Sequence, residues 1–290
     1  MVAGFVIVLF VVSNFSQLFT DVTTASKTSI KLVVAVFFVF LLDFIISKNN
    51  LTKKNGYAIM TFGLLFGLFP EVLKYSDLLF ANLFVLFALR RLISLQTNLH
   101  IKKKFFDAGF WIMMATLCYF WSILFFAVVI VALIYHSKNN LKNVIIPFVG
   151  VATVILLLIA YNIIVHDTYI KPTNFSRYAS IDYSVYNSIE FILKFTVLFA
   201  SFVWTLIYFF RSIPDKNKKL KPSFFLIAWS SVIAILIAII APVKNGSEFI
   251  FLFAPFSIIM ANYIEVVSEK WFKEVFISLL ILAPIISLML

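Results

Sequence analysis

Long apolar runs alternate with short polar or basic breaks along the whole chain, and the lengths of those runs set the first expectation. A helix crossing a hydrocarbon layer about 30 Å thick needs roughly 20 apolar residues. Runs near that length fall at 2–20, 31–47, 57–70, 77–95, 106–119, 121–136, 144–164, 190–210, 223–242, 249–267 and 274–290. They do not alternate residue by residue, as the strands of a membrane barrel would. Unpaired backbone groups cost too much in lipid for any other lipid-facing structure, so the runs predict helices. The expected fold is all-α: a polytopic integral membrane protein with about eleven membrane helices, residues 1–290 forming one transmembrane domain. The first run lacks a basic leader and a small-residue cleavage motif, and is read as a retained helix.

The middle of the chain decides the orientation. KKKFFDAGFWIMMATLCYFWSILFFAVVIVALIYHSKNNLK, from 102 to 142, holds apolar residues between two basic clusters. Its apolar part is too long for one crossing, and a single helix would leave Lys103 and Lys138 on opposite sides. Two short helices, 106–119 and 121–136, turning at Tyr119-Phe120-Trp121, keep both clusters on one side. With that hairpin and a cytoplasmic N-terminus, most of the 24 basic residues fall in cytoplasmic loops. The C-terminus then faces the periplasm. So do Asp21, Glu71, Asp77, Asp167, Asp182, Glu190 and Glu248, and the longest outer loop spans 165–189. His166 and the tyrosines of that loop read as interfacial anchors.

Composition narrows the class. Of 290 residues 63% are hydrophobic and 13% charged, with mean hydropathy +1.05, against about a quarter charged in a soluble domain. The net charge of +11 lies in short loops between apolar runs, which argues for an orientation signal and against a nucleic-acid partner. One cysteine, Cys118, excludes an internal disulfide, and His100, His136 and His166 lack the spacing of a metal site. Nucleotide-binding and zinc-protease motifs are missing, so neither cofactor nor metal is expected. The many Phe, Ile, Lys and Asn residues suggest an AT-rich bacterial genome, and the expected location is the bacterial inner membrane.

Two charges fall inside apolar runs: Asp43 in VFFVFLLDFII and Lys194 in EFILKFTVLF. A charge at membrane depth costs a few kcal/mol, which makes each a candidate for an ion or substrate path. Both also lie near the ends of their runs, where a side chain can reach the interface. Asp21, Glu71, Asp77, Lys244 and Glu248 all sit at ends expected to face outward. If those ends converge, a lysine there holds a lipid phosphate as a point charge and a carboxylate serves as general base. Loop ends are also polar simply because they are wet.

An ordered set of segments resembles polyprenyl-phosphate-dependent glycosyltransferases of the GT-C type. These are YSDLLFANLFVLFALRRLI, FDAGFWIMMATLCYFWSILFF, NNLKNVIIPFVGVATVILLLIAYN and APVKNGSEFIFLFAPFSIIMANYIE, within about residues 31–265. GLFPEVLKYSDLLFANLF, FDAGFWIMMATLCYF and VIIPFVG resemble, more narrowly, an uncharacterised family of multi-pass inner-membrane proteins of Bacteroidetes. The GT-C resemblance implies a GT-C-like fold and a polyprenyl-phosphate-linked sugar as partner at the outer face. It implies inverting transfer in which Asp21 activates the acceptor, and Lys244 with Arg177 steadies the departing phosphate. Asp77 matches an acid with a structural role. The loop DVTTASKTS carries one acid where those enzymes have an acidic pair followed by an aromatic residue. Three readings stay open: a membrane glycosyltransferase, a non-catalytic subunit or scaffold with membrane-protein partners, and a small-solute or ion transporter.

Overall fold

The computed structural model describes the chain except for residues 19, 137–140, 168, 170–177 and 290, and gives backbone alone for 141–142 and 288–289. Lys138 and Arg177 therefore lie outside the described residues. Among those described there is helix and no strand. In chain order the helices are α1 (Val2–Ser13), α2 (Phe15–Leu18), α3 (Val22–Asn49), α4 (Tyr57–Leu68), α5 (Ser76–Ile93) and α6 (Ile101–Cys118). They continue with α7 (Phe126–His136), α8 (Leu141–His166), α9 (Ile189–Ser212), α10 (Lys221–Ile240), α11 (Ile250–Val266) and α12 (Lys270–Met289).

Six stretches among the described residues are long and apolar enough to cross a membrane: Val22–Asn49, Ser76–Thr97, Asn143–His166, Ile189–Ser212, Lys221–Ile240 and Ser247–Val266. Val2–Ser13, Tyr57–Leu68 and Phe120–His136 are apolar but shorter. Length and composition thus support six crossings. Two boundaries also differ from expectation. The first apolar run breaks at Asn14, whose buried amide donates to Phe10 O and Leu73 O. The polar segment after Asp21, expected as a loop, is helical from Val22. Its hydroxyls fold back onto the helix, Ser26 to Thr23 O and Ser29 to Ala25 O, so the polar residues need no loop to satisfy them.

The chain doubles back after α6. Tyr119 is extended (φ −143°, ψ 111°), a 3₁₀ turn covers Phe120–Phe125, and α7 follows. At one end of the bundle Arg91, near the end of α5, binds Asp107 of α6 at 2.8 Å. Ser223 of α10 donates to Ile93 O at 3.0 Å at that same end. Tyr135, near the end of α7, stacks on Phe225 of α10 with centroids 5.5 Å apart. The α7 terminus therefore returns to the end where α6 starts. Cys118 and Tyr119 lie at the opposite end, lining one cavity with Asp77 of α5.

Helix α11 is the axis. Its apolar span is 89% buried, against 17% for that of α8. It packs on α4, α5, α9 and α10. Asn262 anchors its last turns, donating to Leu51 O at 3.1 Å and accepting from Lys216 Nζ at 3.0 Å. Helix α8 lies at the periphery and meets α6 backbone to backbone at Gly109 and Gly150. Two glycines are needed there because helices approach so closely only where no Cβ intervenes. The ends of α4 and α11 carry interlocked rings, Phe66 on Phe253 and Phe69 on Phe249, each 5.2 Å apart. Those rings form an apolar floor beneath the polar end of the bundle.

Candidate functional site

Three chain reversals build a cavity of about 350 Å³ at the end of the bundle where α5 begins. Pro70–Lys74 forms a 3₁₀ turn, and Tyr75 then takes an extended conformation that starts α5 at Ser76. This places Asp77 in the first turn of α5, where a carboxylate is favoured by the helix dipole. Ser76 Oγ donates to its Oδ1 at 3.1 Å. The end of α6 supplies Cys118, and Tyr119 just after it stacks on Phe251 of α11 at 5.8 Å.

The third reversal, 242–249, sets Glu248. Gly246 has φ +85°, a conformation glycine adopts without strain. A Cβ there would also press on the Phe191 and Phe69 rings at 3.1 and 3.2 Å. Asn245 Oδ1 accepts from the backbone N–H and the hydroxyl of Ser247. Glu248, 1% exposed, lies over the backbone N–H groups of Asn245, Gly246 and its own residue; the Asn245 N–H reaches Oε2 at 3.5 Å, while Oε1 has no partner of hydrogen-bond geometry among the described residues. A buried acceptor without a donor is costly, and a donor arriving from a ligand would relieve it.

The Pro70–Lys74 turn packs against the Ser247–Phe249 turn, so Glu71 adds a second negative charge in the neighbourhood of Glu248. Glu71 Oε1 binds Lys194 Nζ at 2.7 Å, and its Oε2 is buried without a partner among the described residues. Lys194 is 1% exposed and also pairs with Glu190, one turn back on α9. The intramembrane charge singled out in the sequence thus closes an ion cluster between α9 and the Pro70–Lys74 turn.

Lys244 is turned away from the cavity. Its ammonium donates to Ala238 O at 2.9 Å and to Ile239 O, at the C-terminal end of α10, and lies 5.0 Å from the Tyr183 ring centroid. A cation there satisfies carbonyls left open at a helix end. Burial holds its pKa below the ordinary lysine value. Asp21 occupies the N-cap position of α3, exposed and without a capping bond from its side chain; it does not line the cavity. Asp43 is exposed on α3 beside Phe40 and Phe44, and forms no ion pair among the described residues.

Of the expected outer-rim residues the structure therefore brings Asp77 and Glu248 to one cavity, ties Glu71 to Lys194 beside it, and leaves Asp21 and Lys244 outside. It adds Lys74, Tyr75, Ser76, Tyr119 and Asn245, which sequence reasoning passed over. The sequence marks Tyr119 only as part of an aromatic turn, and leaves Tyr75-Ser76 just ahead of the run at 77–95. Carboxylates, hydroxyls, an amide and ring faces around one void are the groups that hold a polyol: acceptors and donors for its hydroxyls, a ring for its C–H face. Among the described residues there is no cluster of three or more metal-binding side chains.

Comparison with curated proteins and with solved structures finds no match. Residues 1–289, essentially the whole chain, match a family described as a family of unknown function (DUF6427), and the chain belongs to that family.

Proposed function

We propose that this chain is a multi-pass protein of the bacterial inner membrane that binds the sugar head group of a polyprenyl-phosphate-linked glycan in the Asp77–Glu248 cavity. The observation that carries the reading is the buried, half-satisfied Glu248 carboxylate facing the same void as Asp77 and the Tyr119 ring. Some eleven membrane-embedded helices in a GT-C-like arrangement, shorter ones included, would put this cavity at the periplasmic boundary. The N-terminus would be cytoplasmic and the C-terminus periplasmic. Lys48, Lys53, Arg91, Lys102, Lys104 and Lys216 lie toward the opposite end of the bundle, which supports that orientation under the positive-inside rule.

Orientation has a direct test. In a Cys118→Ser background, an impermeant maleimide applied to intact cells should label a cysteine at Asp182 and spare one at Lys103. The reverse pattern would place the cavity in the cytoplasm and remove the proposed ligand. For the site itself, Glu248→Gln and Asp77→Asn, in lipid nanodiscs, should each weaken binding of a polyprenyl-phosphate sugar about tenfold, the loss of roughly one good charged hydrogen bond. Unchanged affinity in both variants would refute the reading.

A second reading, a non-catalytic subunit of an envelope assembly, is favoured by the position of Asp21. The acid assigned by resemblance to activate the acceptor lies outside the cavity. Helix α8, only 17% buried, leaves room for a membrane-protein partner. Turnover separates the two: sugar transfer by the purified protein that Asp77→Asn or Glu248→Gln abolishes identifies an enzyme. Binding without transfer, together with a co-purifying membrane protein, identifies a subunit.

A further inference from the structure

A second cavity, of about 440 Å³, opens next to the first and shares Ser76 with it. Its character is opposite. Lys27 and Lys31 line it, with the hydroxyls of Thr24 and Thr28 and the amide of Gln17, and no aspartate or glutamate lines it among the described residues. Thr24, Thr28 and Lys31 repeat at helical spacing along one face of α3. Thr24 lies in the first turn, so the positive end of the helix dipole adds to the two lysines.

Lys31 is the independent observation. It is 7% exposed, yet all of its acceptors are neutral: Gln17 Oε1 at 3.1 Å, Lys74 O at 3.2 Å and Asn14 Oδ1 at 3.5 Å. No carboxylate lies within ion-pair distance of it among the described residues. Buried charges are ordinarily paired with an opposite charge, and this ammonium has its hydrogen bonds satisfied by dipoles but no counter-charge. Gln17 spends its oxygen on Lys31, which leaves its amide nitrogen as a donor. Lys27, exposed one turn earlier, can move its ammonium onto a guest.

We infer that this cavity is an anion site for a phosphate group, with Lys31 as fixed charge, Lys27 as the direct ligand, and Gln17, Thr24 and Thr28 as hydrogen-bond donors. Its contact with the first cavity at Ser76 suits a ligand whose phosphate sits between Lys27 and Lys31 while its sugar reaches Asp77 and Glu248. Only that last assignment rests on the head-group reading; the anion site stands on its own residues.

The test uses the full chain in nanodiscs of phosphatidylcholine, titrated with inorganic phosphate or, separately, doped with phosphatidic acid. Native mass spectrometry reads the retained lipid, and thermal shift reads the free anion. Lys27→Gln should weaken phosphate binding about tenfold, and Lys27→Arg should restore most of it. Lys27 is exposed and its replacement leaves folding intact; Thr28→Val, a near-isosteric change, provides a second reduction. Binding of inorganic phosphate lost in Lys27→Gln supports a free-anion site. Binding of phosphatidic acid alone, lost in the same variant, supports a lipid head group. Equal binding by wild type and Lys27→Gln in both arms overturns the proposal. If Lys27→Gln weakens phosphatidic acid binding while Glu248→Gln leaves the sugar-lipid unaffected, the anion site stands and the sugar reading falls. The opposite pattern retires the anion site alone.

Discussion

Replacing Lys194 with methionine is expected to destabilise the protein by about 2–3 kcal/mol. The ammonium is 1% exposed and joins two helical segments that are far apart in sequence. Removing one partner of a buried pair costs about 3–5 kcal/mol, because the other charge is left in a poor solvent. Here the survivors are partly wet: Glu71 is 22% and Glu190 40% exposed, so water screens some of the loss. Glu190, an exposed pair along one helix, contributes only about 0.3–0.5 kcal/mol. Most of the effect therefore belongs to Glu71, whose second oxygen has no partner among the described residues and which shares its surroundings with another acid, Glu248. The double variant Lys194→Met, Glu71→Gln removes that stranded charge and should recover about half of the loss, a coupling within the range seen for residues in contact. Unfolding midpoints in mild detergent measure both. A double variant no more stable than the single would show that Lys194 acts through packing against Phe69 and Phe191 instead.

Gly109→Ala should cost about 3 kcal/mol and loosen α8 from the bundle. A Cβ at Gly109 would fall against Pro147, 2.9 Å from its Cα and closer still to its carbonyl oxygen. One at Gly150 would lie 2.9 Å from Phe110 N and closer to Phe106 O. Both obstacles are backbone, so no rotamer change relieves them and the helices must separate. Gly63 provides the contrast: its added Cβ meets Val2 Cγ1 at 2.6 Å, the end of a side chain that can turn aside. Gly63→Ala should therefore cost under about 1 kcal/mol. Since α8 has few other buried residues, its release in Gly109→Ala should appear as protease cutting near its ends. Equal midpoints for the Gly109 and Gly63 variants would mean that α6 and α8 do not meet backbone to backbone.

Several features of the site are legible in the amino-acid order alone. Glu71, Asp77 and Glu248 each end or begin an apolar run, and a chain folded as antiparallel helices brings such ends to one boundary. The turn at Tyr119 follows from counting apolar residues between basic clusters, and α7 does return to the end where α6 begins. Lys244 shows where that reasoning stops. A lysine just past a helix that ends before Pro242 has two rational partners, a ligand phosphate or the open carbonyls of its own helix, and hydropathy cannot choose. The structure takes the carbonyls. Asp21 stops it similarly: a helix running from Val22 carries the residue away from the cavity, because hydroxyls that satisfy themselves on the backbone do not force a loop.

The sequence by itself determined that this chain is helical, apolar and asymmetric in charge, and roughly where each helix lies. Those properties are local: run length, spacing and the sign of nearby side chains. Tertiary structure alone decided which charges meet. Lys194 finds Glu71 across 123 positions, and Lys31 is buried among neutral oxygens contributed by three other segments. Whether a buried cation is already paired or still open to an anion depends on the crossing of helices, and the order of residues along one stretch of chain does not encode that crossing in any local pattern.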